Sequence, residues 1–349
     1  MKINVLLTGA GGNLAHFIHN ALMRSSVPVR VVACDYSSNA VGLFLAESGY
    51  VVPPAKEDGY VARIMDICQK EHIHVIMAGG IAEMRILAVQ RDYIRNQCGA
   101  FVVASSPQAL HRMEDKWELS QALIAHGFDA PFSVLPADKE ALESFLVKYS
   151  FPCIVKDRMG AGGSTGVGVA HDMKQLAYLI ENINNPVVQE YLYPDNEEYT
   201  VGAFVGADGH GKASIVMKRE LGLGMTFKGH VLADSDLGRY GERILEALGC
   251  TGPANLQLRL TERGPVVFEI NPRFSSTTSA RAYYGYNEPE MCIRHFCMNE
   301  EIKRPQIVSG RFFRTIEDVF VEEEDFQRVA ADGHIDNSVK TGHPVKGGK

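Results

Sequence analysis

Short apolar runs alternate with amphipathic stretches over residues 1–105 of the chain. The runs NVLLTG, RVVACD, VIMAGG and AFVVAS have the length of buried strands. The stretches between them, at 13–24, 59–71 and 83–95, repeat their apolar positions with a helical period. Strands and helices therefore alternate, which predicts a parallel, doubly wound α/β sheet.

The spacing of the strands changes after residue 131. Shorter runs follow (FSVLP, FPCIVK, GVGVA and VVQEYL), separated by helical patterns at 138–149 and 172–182. From residue 199 the strands EYTVGAFVG, ASIVMKREL, ANLQLRLT and PVVFEINPR are longer and are predicted to be antiparallel. We therefore predict four segments: 1–110, 111–186, 187–330, and a polar, mobile tail at 331–349.

Composition narrows the class of protein. The 349 residues are 46% hydrophobic and 22% charged, which is typical of globular domains, and the formal net charge of −7 argues against nucleic acid as a partner. We find no apolar run near the roughly 18 residues of a membrane span and no signal-peptide layout at the N-terminus. The seven scattered cysteines form no Cys-x-x-Cys pair, so we expect reduced thiols in a cytoplasmic protein away from membranes.

The first glycine-rich turn raises the question of a dinucleotide. Thr8, Gly9, Gly12 and Ala15 fit a Thr-Gly-x-x-Gly-x-x-Ala pattern, and Asp35 ends the next apolar run, where a ribose-binding acid would stand. Dehydrogenases with this pattern need a Tyr-x-x-x-Lys pair for proton transfer. None of the thirteen tyrosines has a lysine four residues on. The sequence therefore favours a tight βα turn over a nicotinamide site.

A second glycine-rich stretch, FPCIVKDRMGAGGSTGVGVA, allows three interpretations. Gly162, Ser164 and Gly166 match the Gly-x-Ser-x-Gly motif, but a nucleophile elbow needs a helix after the serine, and here a strand follows. In the interpretation that we favour, Lys156 ends a strand and the main-chain N–H groups of the loop, including Gly163, fold over a polyphosphate. A flexible hairpin without a ligand is the alternative.

The segment NLQLRLTERGPVVFEINPR carries the most specific chemistry. Glu269, Asn271 and Arg273 alternate along one strand and so share a face, and Gln257 lies on the preceding strand. Carboxylate and amide oxygens beside a guanidinium suit Mg²⁺ with arginine on the phosphates. A buried structural network without a metal is the alternative.

With VVQEYL and EEYTVGAFV, these stretches occur in the order and approximate spacing of the ATP-grasp superfamily. The chain resembles the synthetase halves of the carbamoyl-phosphate synthetase large subunit over about residues 110–300, and biotin carboxylase more distantly. The resemblance implies a parallel βαβ domain followed by an α+β ATP-grasp domain, with a small lobe at 111–186 and a large lobe at 187–330. The N-terminal glycine turn would then help form the acceptor-substrate side and would hold no NAD.

The resemblance also implies roles for individual residues. The expected ATP contacts are Lys116, Lys156, Gly162, Gly163, Ser164, Gln189, Glu190, Leu192 and Glu198, with 159–166 as a lid. The expected ligands of two Mg²⁺ ions, which Mn²⁺ can replace, are Gln257, Glu269 and Asn271. The related synthetases often have arginine in place of Lys156. Where the family usually has its first metal-binding acid, this chain has the amide Gln257, as in carbamoyl-phosphate synthetase, so direct ligation by Gln257 stays open.

The activity implied is that of an ATP-dependent ligase that phosphorylates a carboxylate and joins it to an amine. Lys156, Arg219 and Arg273 are the expected catalytic cations. The substrate carboxylate is expected to bind Arg219 with one of Lys218, Lys228 and His230, unless these residues form a solvated hairpin, and Glu83 is expected to face the same cleft.

Two other functions compete with the ligase. One is phosphorylation of bicarbonate or carbamate, although the chain has one grasp where carbamoyl-phosphate synthetase uses two. The other is a nucleotide-binding module without catalysis, against which the set of Glu269, Asn271 and Arg273 argues. Small carboxylates and amines are the expected partners, and the resemblance makes a homodimer a further expectation.

Overall fold

The computed structural model describes residues 2–160, 166–233 and 235–338. The strands are β1 (Ile3–Thr8), β2 (Val29–Asp35), β3 (Ser48–Val51), β4 (Val75–Ala78), β5 (Phe101–Val102), β6 (Ser133–Val134), β7 (Cys153–Asp157), β8 (Val167–Ala170), β9 (Pro186–Glu190), β10 (Glu198–Val205), β11 (Gly211–Gly222), β12 (Met225–Leu232), β13 (Gly252–Thr261), β14 (Gly264–Asn271), β15 (Gly310–Phe313) and β16 (His334–Asp336). The helices are α1 (Asn13–Leu22), α2 (Gly42–Leu45), α3 (Tyr60–Lys70), α4 (Ile81–Cys98), α5 (Pro107–Glu114), α6 (Lys116–Ala125), α7 (Lys139–Tyr149), α8 (Met173–Asn182), α9 (Asp236–Ala247), α10 (Thr278–Tyr283), α11 (Glu288–Cys292) and α12 (Glu323–Asp332), with a π-helical turn at Ile293–Cys297.

The chain divides into two compact units. The first takes residues 2–107 together with the later segments 274–303 and 314–338. The second takes residues 108–273 and 304–313. The N-terminal unit therefore draws on two stretches that the sequence pattern assigns to the large lobe.

The first unit contains the predicted doubly wound sheet, in the order β16-β3-β2-β1-β4-β5. Strands β1 to β5 are parallel, and the apolar runs of the central ones are buried, as at Leu6, Val32 and Ile76. Strands β2 and β4 lie on opposite sides of β1, so the strand order reverses at β1. Parallel sheets commonly bind ligands in the crevice at such a reversal, which here lies at the carboxyl ends of β1 and β4.

The prediction of a mobile tail at 331–349 is wrong for residues 334–336, which form strand β16. Strand β16 pairs antiparallel with β3, with Ile335 opposite Gly49. Ile335 is fully buried, and a Cβ at Gly49 would lie 3.0 Å from its Cγ2. A glycine on β3 thus makes room for an isoleucine that lies almost 290 positions later in the sequence. Residues 339–349 lie outside the described residues.

The second unit has two antiparallel sheets, of which the long strands after residue 199 predict the large one. The large one has the order β14-β13-β10-β11-β12-β15, and the small one β6-β9-β7-β8. Helix α9 packs on one face of the large sheet, where Val201, Leu256, Ile244 and Leu245 are fully buried in one core. Helices α7 and α8 cover the small sheet, with Phe145 and Leu176 in a separate core.

Side-chain caps explain where several of these helices begin. Asp115, Asp138, Asp172 and Ser235 stand just before α6, α7, α8 and α9, and each accepts a hydrogen bond from a backbone N–H of the first turn. All seven cysteines are free thiols, as expected. Among the described residues no helix is both long and apolar enough to cross a bilayer.

Candidate functional site

The large sheet of the second unit has one apolar and one polar face. Side chains alternate along each strand, so Tyr199 and Val201 of β10 face α9, and Glu198 and Thr200 point the other way. Register pairs Thr200 with Gln257 on β13, so Gln257 shares this second face. We call it the polar face.

The predicted metal ligands meet on the polar face. Register pairs Gln257 with Glu269, and a register shift follows because Phe268 is an extra residue in β14. The Glu269 carboxylate accepts a hydrogen bond of 2.7 Å from Asn271 Nδ2 and lies 3.4 Å from Gln257 Nε2. Arg273 donates to Asn271 Oδ1 at 2.9 Å. The structure thus brings together all four residues that the sequence pattern selects.

This donor set fits Mg²⁺ in ligand type. One carboxylate and two amides supply hard oxygens and leave room for the waters and substrate phosphates that Mg²⁺ usually keeps. Within the ranges that the structure describes, no group of three or more His, Cys, Asp or Glu could hold a metal by itself. The amide nitrogens of Gln257 and Asn271 face Glu269 here, so ligation through their oxygens requires the amides to rotate.

Two arginines hold Glu198 on the same face. Arg219 donates to Glu198 Oε1 through Nε at 2.9 Å, and Arg259 donates to Oε2 at 2.6 Å. Arg219 also donates to Gln257 Oε1 at 2.7 Å. Burial alone would raise the pKa of Glu198, but the two guanidinium groups outweigh it and keep the pKa below the usual value. Sequence analysis did not select Arg259, although its position two residues after Gln257 places it on this face.

Two lysines of the small lobe lie close to the polar face. Lys156 is the penultimate residue of β7 and is buried, and its Nζ lies 4.9 Å from the centre of the Phe268 ring. Burial, and then the positive charge of Lys116, lower the pKa of Lys156 to about 8, against the opposing effect of Glu269. Lys116 donates to the carbonyl oxygens of Asp157 at 3.0 Å and Gly160 at 3.3 Å.

Part of the expected lid lies outside the residues that the structure describes. Gly162, Gly163 and Ser164 lie outside the described residues, and so does most of the loop at 159–166. Their predicted role over the phosphates stays a prediction.

The strand that leads from the small to the large lobe provides an open hydrogen-bond acceptor. Gln189 is buried, and its Nε2 donates to Ser133 Oγ at 2.8 Å. Its Oε1 is buried without a hydrogen-bond partner among the residues that the structure describes. The Glu190 carboxylate accepts hydrogen bonds from Phe132 N at 2.8 Å and from Arg263 at 2.7 Å. These bonds link the end of β9 to the residue before β6 and to the turn between β13 and β14. The carbonyl oxygen of Leu192 accepts from Arg259 at 2.6 Å.

The four basic residues expected around the substrate carboxylate do not share a face. Arg219 is on the polar face, whereas Lys218 pairs with Glu197 and lies 5.7 Å from the Tyr199 ring on the side of α9. His230 is the cross-strand partner of Lys218, so it lies with Lys218. Lys228 follows the same alternation and pairs with Glu220 at 2.9 Å. All four nevertheless line one cavity of about 780 Å³. The expectation that Arg219 acts with one of the other three stays a prediction.

The N-terminal glycine turn is braced by an acid. Asp35 accepts hydrogen bonds from the backbone N–H of Gly11 at 2.8 Å and of Ser37 at 2.9 Å. The Gly11 N–H, which could otherwise bind a phosphate, is therefore occupied, and the Asp35 carboxylate lies where the phosphate would be. The structure supports the tight turn over the dinucleotide site.

Glu83 lies in the crevice of the first unit. It belongs to the first turn of α4, and its carboxylate is so close to two turns that a Cβ at Gly80 would lie 2.0 Å from it and one at Gly9 3.0 Å. Burial, and secondarily the negative charge of Asp35, raise its pKa. Thr8 Oγ1 and Tyr60 Oη are buried without hydrogen-bond partners among the described residues. Sequence analysis named Thr8 only as part of the glycine-turn pattern, and it missed Tyr60.

A two-lobed unit with cations and magnesium-type oxygens on one sheet face, in a chain that also has a doubly wound unit, is the arrangement that the ATP-grasp resemblance implies. Family comparisons confirm the resemblance. The RimK-like ATP-grasp domain matches residues 113–208, and the model described as ATP-grasp in the biosynthetic pathway with Ter operon matches residues 182–319. The PylC-like N-terminal domain matches residues 5–99.

Curated relatives match about half of the chain. An uncharacterised protein of Sinorhizobium fredii is 29% identical over 186 residues, which are 48% of this chain and 38% of that protein. The carbamoyl phosphate synthase large chain of Pseudomonas syringae is 22% identical over 182 residues, which are 49% of this chain and 17% of that one. The chain therefore spans less than half the length of these relatives.

Solved structures share the fold over most of the chain. N5-carboxyaminoimidazole synthetase from Staphylococcus aureus, complexed with ADP, superposes with a TM-score of 0.70 at 16% identity, covering 88% of this chain and 81% of that one. The biotin carboxylase complex from Campylobacter jejuni gives 0.66 at 14% identity, covering 83% and 70%. At such identities the likeness establishes the ATP-grasp fold, and the reaction must be argued from the site.

Proposed function

We propose that the protein is an ATP-dependent ligase that activates a carboxylate as an acyl phosphate and joins it to an amine. The observation that carries this proposal is the cluster of Glu269, Asn271, Gln257 and Arg273 on the polar face. This cluster offers oxygen ligands for a divalent cation and a guanidinium for phosphate at one place.

Two displacements make up the reaction. A carboxylate oxygen forms a bond to the γ-phosphorus of ATP while the bond to the β–γ bridging oxygen breaks, which releases ADP. The amine nitrogen then bonds to the acyl carbon, the carbon–oxygen bond to phosphate breaks, and the nitrogen loses a proton. The phosphate carries away an oxygen that would otherwise have to leave as oxide, so no nucleophilic side chain of the protein is required.

The protein's own residues position the reactants and neutralise charge. Lys116 and Lys156 would contact the phosphates, and Arg219 and Arg273 would stabilise the negative charge of the transferring group. Glu269 and Asn271, with Gln257 after rotation of its amide, would hold Mg²⁺ or Mn²⁺, which supplies further charge neutralisation when bound.

Gln189 provides a means of recognising adenine. Its buried Oε1 lacks a partner among the described residues, and Ser133 fixes the orientation of the amide. The exocyclic amino group of adenine is a donor of the type that this oxygen needs, so we expect Gln189 to favour adenine over guanine. The Leu192 N–H would read a further atom of the base edge, because the Glu190 side chain, the Glu190 N–H and the Leu192 carbonyl oxygen already have hydrogen-bond partners.

Glu83 suits the amine substrate. A carboxylate beside hydroxyl groups that lack partners among the described residues, in a glycine-lined crevice, can bind an ammonium group. Small carboxylates and amines are therefore the proposed substrates. Cytoplasmic location and a homodimer stay predictions.

The test is ADP release from Mg·ATP in the presence of pools of amino acids and small carboxylates, with hydroxylamine added to trap acyl phosphate as a hydroxamate. We expect one pool to yield a hydroxamate, whose mass identifies the acid. Glu269→Gln should reduce turnover by at least about a hundredfold, about 2.7 kcal/mol of barrier. Glu262→Gln removes the same charge from the exposed turn of the same hairpin and should leave turnover unchanged.

The comparisons also favour a second candidate. Carbamoyl phosphate synthase, carboxyaminoimidazole synthetase and biotin carboxylase are among the proteins that resemble the chain. Bicarbonate would then replace the organic acid as the phosphorylated group. ADP release that requires bicarbonate and no other acid would establish this reaction and exclude the ligase. Nucleotide binding without turnover in any pool would instead indicate a non-catalytic module.

A further inference from the structure

An aromatic ring lies on the polar face, towards the β15 edge of the large sheet. Register places Arg219 of β11 opposite Gly229 of β12, and Gly229 opposite Phe312 of β15. Cross-strand partners share a face, so Phe312 lies on the polar face with Arg219. The predicted metal ligands Gln257 and Glu269 lie on β13 and β14, at the other edge of the sheet. Arg219 is therefore placed between the magnesium-type oxygens and the ring.

Gly229 lets the Phe312 ring lie across β12. A Cβ at Gly229 would lie 2.1 Å from Cε1 and 2.8 Å from Cζ of Phe312, so a residue with a side chain would not fit beneath the ring. The φ angle of Gly229 is not positive, so the close approach of the ring, and not the backbone conformation, explains the glycine. Neighbouring strands are about 4.8 Å apart, so the ring lies about one strand spacing from the strand that carries Arg219.

The ring faces a cavity that also contains Arg219. The cavity of about 780 Å³ is lined by Glu198, Arg219, Gly229 and Phe312 on the polar face. Phe313, which points to the other side of β15, lines it as well. Its volume falls within the roughly 300–1,000 Å³ of small-molecule sites. Phe312 is partly exposed and points away from the core under α9, so its ring offers apolar surface to a ligand in this cavity.

Arg219 has donors to spare for an anion. Its Nε and Nη2 donate to Glu198 Oε1 at 2.9 and 2.5 Å, and Nη2 also donates to Gln257 Oε1 at 2.7 Å. These bonds leave the Nη1 group without a hydrogen-bond partner in the part of the chain that the structure describes. Because Glu198 and Gln257 fix the plane of the guanidinium, a carboxylate that accepts from Nη1 would be held in one orientation.

We propose that Phe312 determines specificity by selecting a carboxylic acid with an apolar or aromatic body. The carboxylate of this acid accepts from Arg219 Nη1, and its body packs on the Phe312 ring above Gly229. This inference rests on the proposed function, since the acid bound here is the one that the ligase phosphorylates. A small acid such as acetate reaches Arg219 alone and binds more weakly.

The alternative is a structural role for the ring. An aromatic side chain that covers a cross-strand glycine stabilises a sheet without any ligand. That role predicts a loss of stability in Phe312→Ala and no change in the preference between acids. The preference is therefore the quantity to measure.

The test compares phenylacetate with acetate on the full chain. Calorimetry in the presence of Mg·ADP measures the affinity for each acid, and hydroxamate formation with Mg·ATP measures turnover. We expect phenylacetate to bind at least about tenfold more tightly than acetate, because only its ring packs on an aromatic side chain. Phe312→Ala should reduce this ratio at least about fivefold, and Phe312→Leu, which keeps an apolar side chain, should reduce it less.

Phe320→Ala is the matched control. It removes the same ring from a position that is 81% exposed and is not among the residues lining the cavity, so it should keep the wild-type ratio. Equal affinity of the wild type for the two acids would overturn the inference, and so would a wild-type ratio in Phe312→Ala. A ratio that falls in Phe313→Ala but not in Phe312→Ala would place the apolar body on the other side of β15 and would also overturn it.

The two measurements separate this inference from the ligase activity. Phenylacetate binding that depends on Phe312, without hydroxamate from any acid, would support the role of Phe312 and contradict the ligase. Hydroxamate from small acids without a preference for phenylacetate would support the ligase and overturn the role of Phe312.

Discussion

Lys156 is the residue whose charge is most sensitive to its surroundings. It is buried beside Phe268, with Lys116 nearby, and its pKa falls to about 8 in the free protein. Its pKa therefore lies close to neutral pH, unlike that of an exposed lysine, at about 10.4. Phosphate groups beside Lys156 would favour its charged form and raise the pKa again.

Nucleotide binding should therefore take up a proton at alkaline pH. Above pH 8 Lys156 is mostly neutral in the free protein, and binding of Mg·ADP would protonate it. We expect up to about one proton taken up near pH 9, with affinity falling by at most about tenfold per pH unit above 8. Calorimetry in two buffers of different ionisation enthalpy measures this uptake.

Lys156→Arg is the matched test, because arginine stays charged throughout this range. This variant should bind with little proton uptake and a flatter pH profile. Lys174→Arg, at an exposed position on α8, should behave as the wild type. The same uptake in Lys156→Arg as in the wild type would assign the proton to another group.

At the residue scale, the sequence predicted which residues belong to the site better than it predicted their burial, contacts and pKa values. Lys156 was selected because it ends a strand before a glycine loop, a local pattern. Its burial and low pKa depend on Phe268, more than a hundred residues later in the sequence. The open oxygen of Gln189 depends likewise on Ser133, from a strand that pairs with β9 only in the folded chain.

One carboxylate, that of Glu198, links strands β10, β11 and β13. Glu198 of β10 accepts hydrogen bonds from Arg219 of β11 and Arg259 of β13. Its side chain is only 15% exposed, so removing its charge would leave two guanidinium groups with little solvent to screen them. The ion cluster links the middle of the large sheet across three strands.

We expect Glu198→Gln to destabilise the second unit by about 3–5 kcal/mol near pH 7. The pKa of Glu198 is lowered in the folded protein, so its contribution is present above its unfolded value and is lost as pH falls through the lowered folded value. The difference between variant and wild type should therefore shrink in acid. Thermal melts at pH about 7 and about 3 measure it.

Glu262→Gln is again the control, and its melting temperature should follow that of the wild type at both pH values. A deficit of Glu198→Gln that grows in acid would contradict the ion cluster as the cause. Equal melting of all three proteins at pH 7 would show that the two arginines find other partners.

The alternation of side chains along a strand accounts for most of the polar face. On β14 it places Glu269 and Asn271 together, as predicted. On β11 it separates Lys218 from Arg219, because the two residues are neighbours in sequence and point to opposite faces. The extra residue Phe268, by contrast, has no sequence pattern of its own, because a bulge depends on pairing with the neighbouring strand.

Over the whole chain, the order of domains followed from the sequence and their extent did not. The parallel sheet and the large antiparallel sheet were predicted from local periodicity. The return of α10, α11 and β16 to the first unit was not, since α10 and α11 pack on α1 and β16 pairs with β3. Such contacts join residues about 250 or more positions apart, beyond the reach of any local pattern.

The last strand should therefore contribute to the stability of the first unit. Ile335 of β16 is fully buried, and the backbone of Gly49 leaves space for its side chain. Ile335→Ala should lower the unfolding free energy of this unit by about 2–5 kcal/mol, because it removes buried methyl and methylene groups and leaves a cavity. A fall in the melting temperature measures this loss.

Ile316→Ala makes the same chemical change at a position that is 80% exposed, so it should leave the melting temperature nearly unchanged. If the two variants have the same melting temperature, β16 adds no stability to the first unit, and the prediction of a tail from residue 331 is correct. If only Ile335→Ala melts early, the edge of the parallel sheet is completed by the C-terminal segment. Because Ile335 and Ile316 both lie outside the proposed nucleotide site, loss of ADP release in Ile335→Ala alone would then show that activity requires an intact first unit.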